Sequence, residues 1–425
     1  MAPECPKQAD PLFFYTSGRW LWNEDKQLQE RFRYFLVPEL QEAGRHAVGA
    51  SRCLAITKIG EGNLNKAYRL EMDDGQIVVG KIPHPNAGPS FFTTASEVAT
   101  MEYARSVLGL PVPKVLAWSA SDNNPVGAEY IIMEEAKGTQ LNRVWDDLPL
   151  KFRCDILRQV VDIESRLLSV SFQQIGSLYF KDSNVPGCMP AAPTAGSQKI
   201  VDQISSRFCL GPIARREFWE NERAHMSQHQ GPWTSASEYM VSVAQREMEW
   251  INLYGSSQLD SSLDVSKQFQ FISSNQNSPD VHISALERYI SAVPHLIPRD
   301  PTMTCPRFWH PDFHAGNIFI DEQNRISSII DWPPLMLDYS VERRLFFPDN
   351  FKTLNEDEKN EIRYQVSQSI LINSYETATA KINPVIHQKL HHPAGKTLKQ
   401  LETFAGGSWD NCIFPLIECL LHVKR

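Results

Sequence analysis

The segment Phe308–Trp332 reads FWHPDFHAGNIFIDEQNRISSIIDW. Its two apolar runs, "NIFI" (317–320) and "SSII" (327–330), have strand character and flank the turn-forming residues Asp321–Asn324. Asp312, Asn317 and Asp331 lie at the ends of those runs. Ionised carboxylates beside strand interiors are costly unless they are paired or bind a cation. A hairpin through 321–324 brings Asp331 alongside Asn317. A carboxylate and an amide carbonyl are hard oxygen ligands of the kind Mg²⁺ takes together with phosphate. Asp312 is left one loop away, free to accept a proton.

Protein kinases divide labour in this way: an HRDxxxxN string supplies a catalytic Asp and a metal-binding Asn, and a later Asp binds Mg²⁺. Here the string is His310-Pro311-Asp312, then Asn317, then Asp331. Such chemistry needs a cation on a strand facing the ATP phosphates, paired with a helix Glu. The N-terminal part supplies candidates in order. "LAITKI" (54–59), "KAYRLEM" (66–72) and "QIVVGKI" (76–82) form a β-meander, with a hairpin turn at Asp73-Asp74-Gly75. The third strand carries Lys81, and a period of two puts Val79 on the same face, over an adenine. The helix 96–109 offers Glu97 on its inner face. The first connection reads Gly60-Glu61-Gly62-Asn63-Leu64-Asn65, a GxGxxN loop where a backbone can approach phosphates. After "YIIM", ending at Met133, the segment Glu134-Glu135-Ala136 can serve as the hinge that meets the adenine edge.

The rest of the chain bounds the reading. At 425 residues, 42% apolar and 22% charged, it is long enough for two lobes. A net charge of -8 argues against non-specific nucleic-acid binding. The 8 cysteines form no CxxC, and their use fits a reducing compartment. His387 and His391 are spaced i, i+4 without an evident third ligand and read as surface residues. No apolar run reaches transmembrane length, and the N-terminus has neither a signal-peptide pattern nor an Arg-rich presequence. Leu28, Phe32, Phe35 and Leu36 have the spacing of one amphipathic helix. Beyond residue 140 the pattern turns helical, with a capping box at Ser235–Glu238. A Pro/Gly/Ser-bearing insertion spans 181–232. Its six Lys/Arg and five Asp/Glu do not favour a polycationic substrate.

With these residues in place the sequence resembles the aminoglycoside phosphotransferase and choline-kinase-like family. That family's HxDxHxxN pattern is matched by His310, Asp312, His314 and Asn317, and its (I/V)IDW by Ile329–Trp332. "PVPKVL" (111–116) is also typical. "SGRWLWNE", "SEVATMEYAR" and "NPVGAEYIIME" are similar to a fungal branch that includes mitochondrial-inheritance proteins. The resemblance covers roughly residues 14 to 345. It departs at Pro311, where these kinases carry Gly, and Trp332 replaces the Phe-Gly of a protein-kinase activation loop.

The resemblance implies an α+β, two-lobed protein-kinase-like fold. A small antiparallel sheet with one key helix would form the N-lobe (50–136), after an N-terminal extension with an amphipathic helix (1–49). A larger, mainly helical C-lobe (137–425) would carry the catalytic loop (308–332) and the insertion. The expected activity is transfer of the γ-phosphoryl of Mg-ATP to a hydroxyl or amine of a small molecule. Asp312 would be catalytic, His310 supporting, and Asn317 and Asp331 would bind metal. Gly60, Gly62, Asn63, Asn65, Val79, Lys81, Glu97, Met133, Glu134 and Ala136 would bind ATP. The alternative is a catalytically weak kinase-fold protein acting as an ATP-binding scaffold or mitochondrial maintenance factor. The expected location is cytoplasmic, with mitochondrial as the alternative.

Overall fold

The computed structural model describes residues 11–261, 278–332, 356–392 and 395–423. Two short helices, α1 (Glu24–Arg31) and α2 (Val37–Val48), precede the sheet. The single amphipathic helix expected across Leu28–Leu36 is therefore interrupted. Phe32 and Leu36 are both extended, Phe35 is buried and Leu36 is exposed. Pro38 explains the break: it lacks an N–H, so it is tolerated in the first turn of α2 and not within a longer helix.

Strands β1 (Cys53–Glu61), β2 (Asn65–Met72), β3 (Ile77–Pro83), β4 (Val115–Ser119) and β5 (Tyr130–Glu134) form one antiparallel sheet in the order β1-β2-β3-β5-β4. Strand β2 alternates between buried and half-buried residues, whereas the central β3 is buried on both faces. Leu40 of α2 packs on one face, over Gly80, beside Leu70, Val78 and Ile82. On the other face, Val79 pairs with Met133 and Lys81 with Ile131, as period two requires. The hairpin turn closes at Gly75, whose φ of 82° favours glycine.

Helix α3 (Phe92–Glu102) runs into a π-helical turn at Tyr103–Val107. Its start, earlier than the sequence pattern suggests, is secured by buried Glu129. That carboxylate accepts from Thr94 Oγ1 (2.6 Å), from Phe91 N (3.1 Å) and from Ser90 Oγ.

In the C-lobe, β6 (Thr139–Gln140) and α4 (Leu150–Leu167) come first. Strands β7 (Ser171–Phe172) and β8 (Ser177–Phe180) precede the insertion, which adds β9 (Met189–Pro190), β10 (Pro193–Ala195), α5 (Gln198–Arg207) and β11 (Phe208–Gly211) to them in sheets β10-β7 and β8-β11-β9. Arg216 pairs with Glu220 inside the insertion, whereas Arg207, Arg215 and Arg223 reach Glu102, Glu402 and Glu247 outside it. Phe208 and Phe218 are core residues, and Trp219 packs on Phe92.

Helices α6 (Ala236–Ser261), α7 (Pro279–Leu296) and α8 (Pro301–Thr304) follow. The α6 cap is the expected box shifted by one partner: Ser235 Oγ accepts from Glu238 N, but the Glu238 carboxylate reaches Thr234 N. Strands β12 (Ile318–Ile320) and β13 (Ile326–Ile329) form the expected hairpin, with β6 on its outer edge. Helices α9 (Glu356–Ile382), α10 (Pro384–Leu390), α11 (Gly395–Ala405), α12 (Ser408–Asn411) and α13 (Phe414–Val423) complete the lobe. Among the described residues no helix is long and apolar enough to cross a membrane. One apolar core spans both lobes, joining Ala99, Met101 and Tyr103 to Leu167, Phe172, Phe308 and Trp332. It holds α3 against the segment that leads into the catalytic loop.

Candidate active site

Lys81 is the centre of the site. Its Nζ lies 2.5 Å from Glu97 Oε1 and 2.8 Å from Asp331 Oδ1, so residues 250 positions apart in sequence meet on one ammonium. Burial alone would discharge this lysine, but the attraction of Asp331 and Glu97 wins and pushes its pKa up. Glu97 is raised, mainly by burial and further by Asp331, against the pull of Lys81. Asp331 is lowered, chiefly by Lys81. It differs from Glu97 in exposure: its side chain is 38% accessible, against 11% for Glu97. Its φ of 58° lies in the left-handed region, sparsely populated outside Gly, Asn and Asp. Such a conformation persists where the surroundings over-determine it.

The loop 310–317 forms a second cluster. Asn317 Nδ2 donates to the Asp312 backbone carbonyl and to Asp312 Oδ2, each at 3.0 Å. The Asn317 carbonyl accepts from Ile330 N at 3.0 Å, which brings Asp331 next to Asn317 across the hairpin. The two side chains nevertheless have different partners: Asn317 holds Asp312, and Asp331 holds Lys81. Asn317 Oδ1 accepts no hydrogen bond among the described residues, and Asp331 is partly open to solvent. An amide oxygen and a carboxylate so disposed fit Mg²⁺, which completes its shell with water and phosphate. Among the described residues no group of three or more His, Cys, Asp or Glu stands ready to cage a metal alone.

His310 is buried, with Nε2 3.2 Å from the Ile330 carbonyl and its ring 4.5 Å from Trp332. Burial lowers its pKa to about 4, so it is neutral and ties the loop to β13. His314, to which the sequence reading assigned no chemical role, lies 3.4 Å from Asp312 Oδ1 and takes the Gly316 N–H on Nδ1. Its place in the HxDxHxxN string was the available signal.

The glycine-rich connection joins β1 to β2, and Gly62 N donates to Asn65 O. Neither Gly60 nor Gly62 has positive φ, and a Cβ at Gly62 would meet nothing within 4 Å. The Asn65 amide lies near enough to Asp331 to help hold its carboxyl low, behind the larger effect of Lys81. No hydrogen bond to the Asn63 side chain is found among the described residues. The intervening Glu61 carboxylate is tied outward, to Lys58, Lys66 and Thr16 N.

At the hinge, Glu134 N is engaged by the Lys114 carbonyl, and Lys137 is bound on both sides by Ser327 and Ser328. Between them the Ala136 N–H makes no hydrogen bond among the described residues. Arg69, which the sequence reading missed, closes this end by pairing with Glu135 (2.7 Å) and Glu71.

A five-stranded antiparallel lobe, a Lys–Glu pair and an Asp–Asn–Asp loop define the class of kinase-like phosphotransferases. Residues 55–339 match the model of the phosphotransferase enzyme family, and the chain belongs to that family. It is 30% identical to a subtelomeric hrmA-associated cluster protein of Aspergillus fumigatus, over 87% of this chain and 79% of that one. Altered inheritance of mitochondria protein 9, mitochondrial, of Yarrowia lipolytica is 26% identical over 85% of this chain and 67% of its own. Among solved structures, ADP-bound aminoglycoside phosphotransferase APH(2'')-Ib matches with a TM-score of 0.38 and 13% identity, over 92% of this chain and 97% of that one.

Proposed function

We propose that this protein transfers the γ-phosphoryl group of ATP to a hydroxyl, or an amine, of a small-molecule metabolite. The reading rests on one observation above all: Lys81 bridges Glu97 at 2.5 Å and Asp331 at 2.8 Å, beside the Asp312–Asn317 pair. Residues 50–136 serve as the nucleotide lobe and 137–425 as the acceptor lobe. Adenine lies under Val79 and Met133 with its edge on Glu134 and Ala136, and Gly60, Gly62, Asn63 and Asn65 border the phosphates.

Lys81 orients the ATP phosphates, and Glu97 fixes its ammonium. Asn317 and Asp331 would hold a Mg²⁺ ion, which would supply positive charge against the phosphates. Asp312 positions the acceptor hydroxyl and takes its proton as the oxygen bonds to phosphorus and ADP leaves. Asn317 keeps that carboxylate oriented through its amide, and neutral His310 supports the loop. Most of the acceleration then comes from positioning and charge neutralisation. A mitochondrial setting is the better supported of the two locations, because the inheritance-protein relatives carry that word in their names.

Titration with a non-hydrolysable ATP analogue and Mg²⁺, beside a screen of metabolites for ATP-dependent phosphate gain, tests the reading. Asp312→Asn should still bind the analogue and lose about 10²–10⁴ in transfer. Parental transfer by that variant would remove Asp312 from the mechanism. A chain that binds the analogue but phosphorylates nothing would leave the scaffold reading.

A further inference from the structure

A cavity of about 260 Å³ lies in the C-lobe, and no residue of the lysine cluster lines it. Neither Asp312, Asn317 nor Asp331 lines it. Its wall is largely apolar, built from Phe172, Leu210, Ile213, Met240, Ile297 and Leu398. In this wall sits Lys389, only 1% exposed, whose Nζ has no hydrogen-bond partner among the described residues. A lone ammonium in an apolar wall is costly unless something answers its charge. Arg307 adds a second cation, its Nε directed at Cys305 Sγ (3.2 Å) and its Nη1 at the Leu168 carbonyl. The acidic lining residue Glu402 is already taken, by Arg215 at 2.7 Å and Tyr239 at 2.8 Å. The cavity therefore presents unanswered positive charge at a hydrophobic chamber. That combination selects an anion with an apolar body over a neutral or cationic molecule.

We propose that this cavity binds a small amphiphilic carboxylate, of the class of medium-chain fatty acids, with its head on Lys389 and Arg307 and its chain in the apolar chamber. At about 30 Å³ per water-sized group, the volume takes roughly eight or nine such groups, the size of a short acyl chain. Burial lowers the Lys389 pKa to about 8. The ammonium is thus charged at neutral pH but held weakly, as expected of a group awaiting a counter-ion. The site has a bearing on the catalytic loop, because Phe308 lines the cavity two residues before His310.

The test uses the full chain without nucleotide and sodium octanoate as probe, read by calorimetry and thermal shift. Octanoate should bind and raise the melting temperature, octanol should bind at least tenfold more weakly, and octylamine should not bind. Hexanoate should bind about fifteenfold more weakly than octanoate, from roughly fourfold for each of two methylenes. Lys389→Met should lose at least tenfold in octanoate affinity while melting at or above the parent temperature, because an unanswered buried charge is gone. Leu398→Trp, which fills the chamber and keeps the lysine, should also abolish binding, and it carries the test should the first variant fail to fold. No octanoate binding at about 1 mM, equal binding of octanol, or parental octanoate affinity in either variant would overturn the proposal.

Discussion

Replacing Asp331 by Asn keeps the side-chain shape and removes one charge from the lysine cluster. The backbone should tolerate it, since Asn, like Asp, is accepted at the φ of 58° found here. The stability cost follows from the geometry. Removing one partner of a fully buried ion pair costs about 3–5 kcal/mol. Here Lys81 keeps Glu97 at 2.5 Å, and the Asp331 side chain is 38% exposed and screened by water, so the loss shrinks to about 1 kcal/mol. A melting shift of a few degrees at most corresponds to that loss. The cost to function should be much larger. Losing a preorganised charge that stabilises a transition state typically costs about 2.7–4 kcal/mol, or about 10²–10³ in rate. The assay is ATP turnover across a Mg²⁺ titration, with a melting curve of the same sample. Turnover should fall by that factor and half-saturation should move to higher Mg²⁺. A folded Asp331→Asn protein with parental turnover and parental Mg²⁺ dependence would refute the assignment. The acid limb carries a second signature. The folded Asp331 pKa is depressed, so its stabilising contribution is present above about pH 4 and lost as pH falls through the folded value. That loss should be absent in the variant.

Other positions yield independent checks. Glu164 on α4 is buried, and burial raises its pKa to about 7 against the hydrogen bonds it accepts from Tyr375. Its contribution is therefore full below about pH 4 and lost as pH rises through about 7, a change of about 3 kcal/mol. Glu164→Gln should flatten that slope and melt above the parent at pH 8, and an unchanged slope in denaturant titrations would contradict the burial argument. Gly138 has φ +97°, and an added Cβ would collide with the Ile320 carbonyl, where β6 joins the hairpin. Gly138→Ala should lose at least about 1–3 kcal/mol in denaturant unfolding, a near-neutral result being the refuting one. In Glu97→Gln, Lys81 should lean on Asp331 alone. ATP-analogue affinity should then fall about tenfold, about 1.4 kcal/mol, with little loss of melting temperature, and parental affinity would show that Glu97 does not position the lysine.

Local pattern made much of the site legible. Alternation along 76–82 placed Val79 and Lys81 on one face, because a strand has a side-chain period of two whatever surrounds it. The hairpin of β12 and β13 followed from apolar runs around a polar turn, and the spacing of Asp312, Asn317 and Asp331 followed with it. Glu97 was within reach because the inner face of a helix can be read from its apolar neighbours. What lay beyond the sequence were relations that only a folded chain creates. Asp331 is not an unpaired carboxylate but the partner of Lys81, a contact spanning 250 positions, and no local period encodes it. Asn317 is turned toward Asp312, because its amide nitrogen finds a carboxylate there, and its oxygen accepts no hydrogen bond among the described residues. Glu129 reads as an ordinary residue before a strand, yet it secures the start of α3 and so places Glu97. The arginines of the insertion look in sequence like a mixed surface, and tertiary packing pairs Arg207, Arg215 and Arg223 with glutamates of other elements. Lys389 shows the difference most plainly. In a one-dimensional reading it is a helix lysine like many others, and only the packing of the C-lobe closes an apolar chamber around its ammonium. Periods and turns are set by backbone geometry, which every residue carries with it. Burial and pairing are set by which distant surfaces the core brings together.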